Sequence, residues 1–187
     1  MTLVKLNNRH TDKNTRHSYL PLYDTLLNSI KDTANSVLEI GVNTGGSIKL
    51  WHDYFTKASI YGCDILDKIK IPELKTNDRV FLHLDENAYT KEYVQRKFKN
   101  KKFDFILDDG VHSVGSQMNF IELYSPLLSE NGILIIEDIK SLEWLDELKN
   151  KTPKNLKKYI KTYDLRKNKK RFDDIVFTID KVNNSMV

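Results

Sequence analysis

The chain has 187 residues, with 30 Lys+Arg against 26 Asp+Glu and a formal net charge of +4. That length suits one domain burying roughly 70% of its unfolded surface, and a composition 40% hydrophobic and 30% charged argues against disorder. No apolar run approaches the roughly 18 residues of a membrane-spanning helix, the opening residues lack the apolar centre of a secretory signal, and Cys63, the single cysteine, excludes an internal disulfide or a cysteine-held metal cluster. A cytoplasmic setting is the expectation. The net charge is too small to imply nucleic acid by itself.

Short β-rich runs alternate with helix-like segments. Ser18 is placed to cap a first helix carrying Leu20, Tyr23, Leu26, Leu27 and Ile30 on one face. Val37 to Ile40 is a first strand ending at Gly41, and Gly45-Gly46-Ser47 opens a helix with Ile48, Leu50, Trp51, Tyr54 and Phe55. Ser59 to Cys63, ending at Asp64, is a second strand, Arg79 to Leu84 a third, and a helix follows from about Ala88 to Lys99. Phe103 to Leu107 reads as a fourth strand closed by Asp108-Asp109-Gly110. A helix carrying Met118, Ile121, Leu123, Tyr124, Leu127 and Leu128 then ends at Asn131-Gly132, before the fully apolar fifth strand Ile133 to Ile136. Glu143 to Leu148 looks helical, and Leu156 to Leu165 with Asp174 to Ile179 can pair as an antiparallel hairpin. This alternation implies an α/β, doubly wound, Rossmann-like fold, mainly parallel and seven-stranded with an antiparallel C-terminal strand. Ligands bind such folds at the carboxyl ends of the strands. One domain across 1–187 is expected, with 1–35 a helical approach segment and 36–187 the core.

Three features fall at strand ends. In Glu39-Ile40-Gly41-Val42-Asn43-Thr44-Gly45-Gly46-Ser47 the glycines allow a tight strand-to-helix turn and close approach to a ligand. The spacing is neither the dinucleotide G-x-G-x-x-G, because Asn43 replaces the second glycine, nor a P-loop. Asp64, at the end of the next strand, is placed to accept hydrogen bonds from a ribose diol. Finally, Asp109 and the pair Glu137-Asp138 close two neighbouring strands, whose ends lie roughly 5 Å apart. Unneutralised, three such carboxylates repel, and a hard divalent cation such as Mg²⁺ resolves the conflict. His112 follows Asp109 in the same turn, and its imidazole can accept a proton at neutral pH. The remaining histidines His10, His52 and His83 have no such context.

Val37 to Gly41 with Gly45, then Tyr61-Gly62-Cys63-Asp64, resembles the cofactor half of class I S-adenosylmethionine-dependent methyltransferases. Phe103 to His112 with Gly132 to Asp138 is similar to the metal-dependent sugar O-methyltransferases that act on macrolides such as macrocin and mycinamicin, and Thr11-Asp12-Lys13 with His17, Tyr19 and Tyr23 matches their approach to the first strand. Val111 departs from the small serine usual there. The resemblance implies a Mg²⁺-dependent O-methyltransferase acting on a sugar or other diol. Gly41, Asn43, Gly45, Gly46 and Ser47 then shape the cofactor turn, with Glu39 near the methionine amino end and Asp108 facing the methionine part. Asp64 takes the ribose and Asp85 lies beside adenine. Asp109, Glu137 and Asp138 hold the metal, and His112 is the base.

Two other readings stay open: an RNA 2′-O-methyltransferase, and a non-catalytic cofactor-binding module. The first is suggested by the stretch Lys149–Arg171, which has eleven Lys or Arg, but the Lys-Asp-Lys-Glu tetrad usual there is incomplete because no Glu follows Glu147. Membrane partners are not expected and nucleic acid is disfavoured; a homo-oligomer is left open.

Overall fold

A computed structural model describes residues 1–6 and 11–183, so His10 lies outside the described residues. Seven strands, β1 (Ser36–Ile40), β2 (Ser59–Cys63), β3 (Val80–His83), β4 (Phe103–Asp108), β5 (Leu128–Ile136), β6 (Ile160–Asp164) and β7 (Ile175–Asp180), form one sheet in the order β3-β2-β1-β4-β5-β7-β6. Neighbours from β3 to β5 run parallel. β7 inserts antiparallel between β5 and β6, the hairpin expected of the tail. The strand order reverses between β1 and β4, the crevice in which an open α/β sheet takes its ligand.

Helices cover both faces, so the central strands are apolar throughout. α1 (Leu3–Leu6), α2 (Leu20–Leu27) and α3 (Gly46–Tyr54) pack with Val37, Phe105, Leu107, Ile133 and Ile135 on one face. α4 (Lys91–Phe98), α5 (Val114–Tyr124) and α6 (Trp144–Lys151) pack with Leu38, Ile40, Ile106, Leu134 and Ile136 on the other. A short α7 (Arg166–Lys169) links β6 to β7. Among the described residues no helix is long and apolar enough to cross a membrane.

Three local expectations need correction. Ser18 does not cap α2; its hydroxyl donates to Asp174 Oδ2 at 3.1 Å, and Tyr19 holds the N-cap position with helical φ and ψ. The helix expected from Ala88 begins at Lys91, where the Thr90 hydroxyl accepts the Tyr93 N–H at 3.2 Å. α5 ends at Tyr124, not at Asn131-Gly132, because Pro126 lacks an N–H to continue it. Asn131-Gly132 lies inside β5, where the pairing with β4 shifts register between Phe103 and Phe105. A side chain on Gly132 would meet the Phe103 carbonyl at 3.0 Å.

Candidate active site

Side chains alternate along a strand with period two, and this parity sorts the strand-end acids. Val37 and Glu39 share a face; so do Phe105, Leu107 and Asp109, and Ile133, Ile135 and Glu137. All belong to the face covered by α1 to α3. Asp108 falls on the opposite face, where the Tyr89 hydroxyl donates to its Oδ1. Burial raises the Asp108 carboxyl to about 7 even against that hydrogen bond.

The acids of the first face are met by the segment before α2. Lys13 is fully buried, and its Nζ lies 2.5 Å from Glu137 Oε1, 2.7 Å from Asp109 Oδ2 and 3.5 Å from Glu39 Oε1. Burial works to strip its proton, but the three carboxylates outweigh burial and hold the ammonium well above the ordinary lysine range. Tyr23 donates to the second Glu137 oxygen, so both oxygens of that carboxylate are engaged. Burial, reinforced by Asp109, pushes the Glu137 carboxyl well up. Trp51 donates to Glu39 Oε2 at 3.0 Å, and burial raises Glu39 to about 7 against the pull of Lys13. The same segment grips the neighbouring acids. The Tyr19 hydroxyl donates to Asp138 Oδ1 at 2.5 Å, and His17 Nδ1 lies 2.6 Å from Asp174 Oδ1 and 3.3 Å from Asp138 Oδ1. The rings of His17, Tyr19 and Tyr23 stack in series at 4.9 and 5.8 Å.

Above this floor opens a cavity of about 480 Å³. One end is the turn after β1. Gly41 has φ +89°, and a Cβ there would lie 2.1 Å from the Asp109 carbonyl oxygen. Only glycine lets the two turns approach this closely, tied by Asp109 N–H to the Ile40 carbonyl at 2.8 Å. Asn43 takes the left-handed φ of 44° that asparagine tolerates, and Gly45, at φ +90°, is the N-cap of α3. Asp64 Oδ2 accepts the N–H groups of Val42 and Asn43 at 3.0 and 2.8 Å, and Oδ1 accepts that of Leu66 at 3.0 Å.

At the other end, one ligand atom each from Asp109, His112 and Asp138 lies within 4.8 Å of the other two. His112 Nε2 is 3.4 Å from Asp138 Oδ2 and 3.9 Å from Asp109 Oδ1. The residue after it, Ser113, caps α5 by accepting the Ser116 N–H, which fixes the loop that carries the imidazole. Burial, reinforced by Asp109, raises the Asp138 carboxyl. Two hard carboxylates and an imidazole around one small space are a donor set that suits a divalent cation.

Of the residues singled out from sequence, Gly41, Asn43, Gly46, Ser47, Asp64, Asp109, His112 and Asp138 line this cavity. Gly45 shapes its turn from behind. Glu39, Asp108 and Glu137 lie beneath the wall, each at most 2% exposed. Asp85 turns away with φ 60°, and its Oδ1 accepts the Asp67 N–H at 3.1 Å; Asn87, Ala88 and Tyr89 line the cavity in its place. Thr11, Asp12 and Arg16 also line the cavity, and the sequence does not single them out as ligand contacts. The central ion pair of Lys13 was missed as well, although strand parity already placed Asp109 and Glu137 on one buried face.

The strand order, the glycine turn after β1 and an acid closing β2 define a class I methyltransferase fold. The MycE methyltransferase of mycinamycin biosynthesis, solved in complex with Mg and SAH, superimposes with a TM-score of 0.75 at 22% identity, over 96% of this chain and 54% of that one. In sequence the chain resembles the sugar O-methyltransferases. It is 31% identical over 137 residues to mycinamicin VI 2''-O-methyltransferase of Micromonospora griseorubida, covering 68% of this chain and 33% of that protein. It is 27% identical over 135 residues to demethylmacrocin O-methyltransferase of Streptomyces fradiae, covering 68% and 33%. The chain thus spans about a third of the length of these curated relatives. No protein-family model matches the sequence.

Proposed function

We propose that this chain is an S-adenosylmethionine-dependent O-methyltransferase that uses Mg²⁺ and methylates a hydroxyl of a sugar or glycosylated small molecule in the cytoplasm. The observation that carries this reading is that one cavity joins the glycine turn and Asp64 at one end to Asp109, His112 and Asp138 at the other. The sequence likeness to sugar O-methyltransferases supports the substrate class.

In this reading the turn from Gly41 to Ser47 carries the methionine part of the cofactor. The Asp64 carboxylate, with three backbone donors already fixing it, offers its remaining lone pair to the ribose. Asp109 and Asp138 present oxygens to the metal; Glu137 adds negative charge from behind, and reaches the ion only if Lys13 gives up Oε1. The bound cation supplies Lewis acidity that lowers the pKa of an acceptor hydroxyl. His112 takes the hydroxyl proton at Nε2 as the acceptor oxygen forms its bond to the methyl carbon. S-adenosylmethionine held there would supply the methyl group and keep the carbon–sulfur electron pair as the neutral thioether S-adenosylhomocysteine. Holding the two reactants in line within the cavity provides much of the acceleration.

Against the RNA reading, six of the eleven basic residues from Lys149 to Arg171 already have partners: Lys149 with Asp146, Lys151 with Glu122, Lys161 with Asp180, Arg166 with Asp164, Arg171 with Asp173, and Lys169 with backbone carbonyls. The test is calorimetry with S-adenosylhomocysteine, followed by methylation of simple glycosides with Mg²⁺ and with excess EDTA. Cofactor binding in the micromolar range, about −8 kcal/mol, and activity abolished by EDTA are expected. Absence of cofactor binding, or full activity in EDTA, overturns the assignment.

A further inference from the structure

The structure describes five arginines, and four have fixed partners. Arg79 donates to the carbonyls of His52, Phe55 and Ala58, and Arg96, Arg166 and Arg171 pair with Glu86, Asp164 and Asp173. Arg16 alone among them has a guanidinium with neither hydrogen bond nor ion pair, and it lines the cavity. Its backbone is held in the turn that follows Asp12, where the Arg16 N–H donates to the Asp12 carbonyl at 3.0 Å. Lys13 and His17 plunge from this turn into the protein, both buried, while Arg16 between them stays exposed at the rim. Its neighbour His17 lies 3.3 Å from Asp138 Oδ1, so the turn that carries Arg16 borders the part of the cavity that holds Asp138.

A guanidinium has five donors and no acceptor, and it cannot lose its proton. Its best partner is a planar carboxylate or a phosphate, gripped by two parallel hydrogen bonds. No acid on the cavity wall fills that role, for no carboxylate of Asp12, Asp109 or Asp138 pairs with Arg16. Two cationic side chains line the cavity, Lys68 in the loop that follows Asp64 and Arg16 in the turn beside His17. On the same lining Thr11 offers a hydroxyl and Val111, 58% exposed, an apolar surface.

Resting on the methyltransferase reading above, we propose that Arg16 selects an acceptor sugar that carries an anionic group, a carboxylate or a phosphate. The substrate class narrows from glycosides in general to acidic sugars.

The test is calorimetry of the protein loaded with Mg²⁺ and S-adenosylhomocysteine against three probes: methyl glucoside, glucuronate and glucose 1-phosphate. At least one anionic probe should bind tenfold or more tightly than methyl glucoside, and which of the two does so identifies the anion. Arg16→Gln should bring that probe to the level of the neutral one, and Arg16→Lys should restore part of the preference, since a lysine keeps the charge without the fork. Affinity for S-adenosylhomocysteine should change by less than twofold in both variants. Equal binding of all three probes to the wild type, absence of binding included, overturns the proposal. So does an Arg16→Gln loss that falls on S-adenosylhomocysteine, which assigns the guanidinium to the cofactor's own carboxylate. Failure of the wild type to bind S-adenosylhomocysteine at all is a separate result; it removes the methyltransferase reading and this proposal with it.

Discussion

Two groups of acids sit within one turn of each other at the ends of β1, β4 and β5, and they differ in what answers their charge. In the floor, Glu39 and Glu137 are closed off from solvent and met by Lys13, Tyr23 and Trp51. In the mouth, Asp109 and Asp138 open onto the cavity beside His112. Asp109 belongs to both, with Oδ2 on Lys13 and Oδ1 toward His112. Residue type does not separate a structural charge from a functional one here. What separates them is whether the protein has already supplied the countercharge.

The comparison breaks most severely if the floor loses its cation. Lys13→Met leaves buried carboxylates uncompensated, which costs about 3–5 kcal/mol. Urea unfolding at neutral pH should show it, and a change below about 1 kcal/mol would mean that Lys13 is not the countercharge. In the mouth the largest effect belongs to His112→Gln, with turnover expected to fall ~10²–10⁴-fold for loss of a general base. Mn²⁺ binding followed by electron paramagnetic resonance should survive that change. Its disappearance would make the imidazole a metal ligand instead.

A subtler test uses pH. Glu39 titrates at about 7 in the folded protein, against about 4.3 in an unfolded chain. The folded state therefore holds the extra proton. Its contribution to stability is complete below the unfolded value and fades as pH rises through 7. Glu39→Gln abolishes that titration, so it should lose less stability than the wild type between about pH 5.5 and pH 8.5, by about 2 kcal/mol. Parallel stability curves for the two proteins would place the titration elsewhere. The smallest expected effect is at the cofactor end. Asp64→Ala should weaken S-adenosylhomocysteine by roughly 1.5–3 kcal/mol, and unchanged affinity would show that the carboxylate serves only the turn.

The strands were legible because apolar runs bounded by Gly and Asp are strong local signals. β2, Ser59–Cys63, matches its expected bounds, and the tail hairpin pairs as read. The mouth was legible too, since strand ends gather ligands and acids there stand out. The floor was not. A lysine in a polar opening segment reads as solvated, and nothing within ten residues of Lys13 announces partners 96 and 124 residues away. Asp85 is the opposite case. An acid just past a strand looks like a ligand contact, but the left-handed turn at that residue carries it outward and delivers Asn87 to Tyr89 instead. Ser18 was read as a local cap when its partner, Asp174, is 156 residues distant.

Those long separations bear on how the molecule comes to exist. In synthesis the Thr11–Tyr23 stretch precedes its partners by more than a hundred residues. Yet its Lys13 waits for Glu137, its Tyr19 for Asp138 and its His17 for Asp174. Non-local pairings of this kind slow folding, because the chain closes a long loop before the contact repays it. Until β5 and β7 are made, the lysine stays hydrated and the future site has no floor. The proposed site is therefore completed only once β7 has been made.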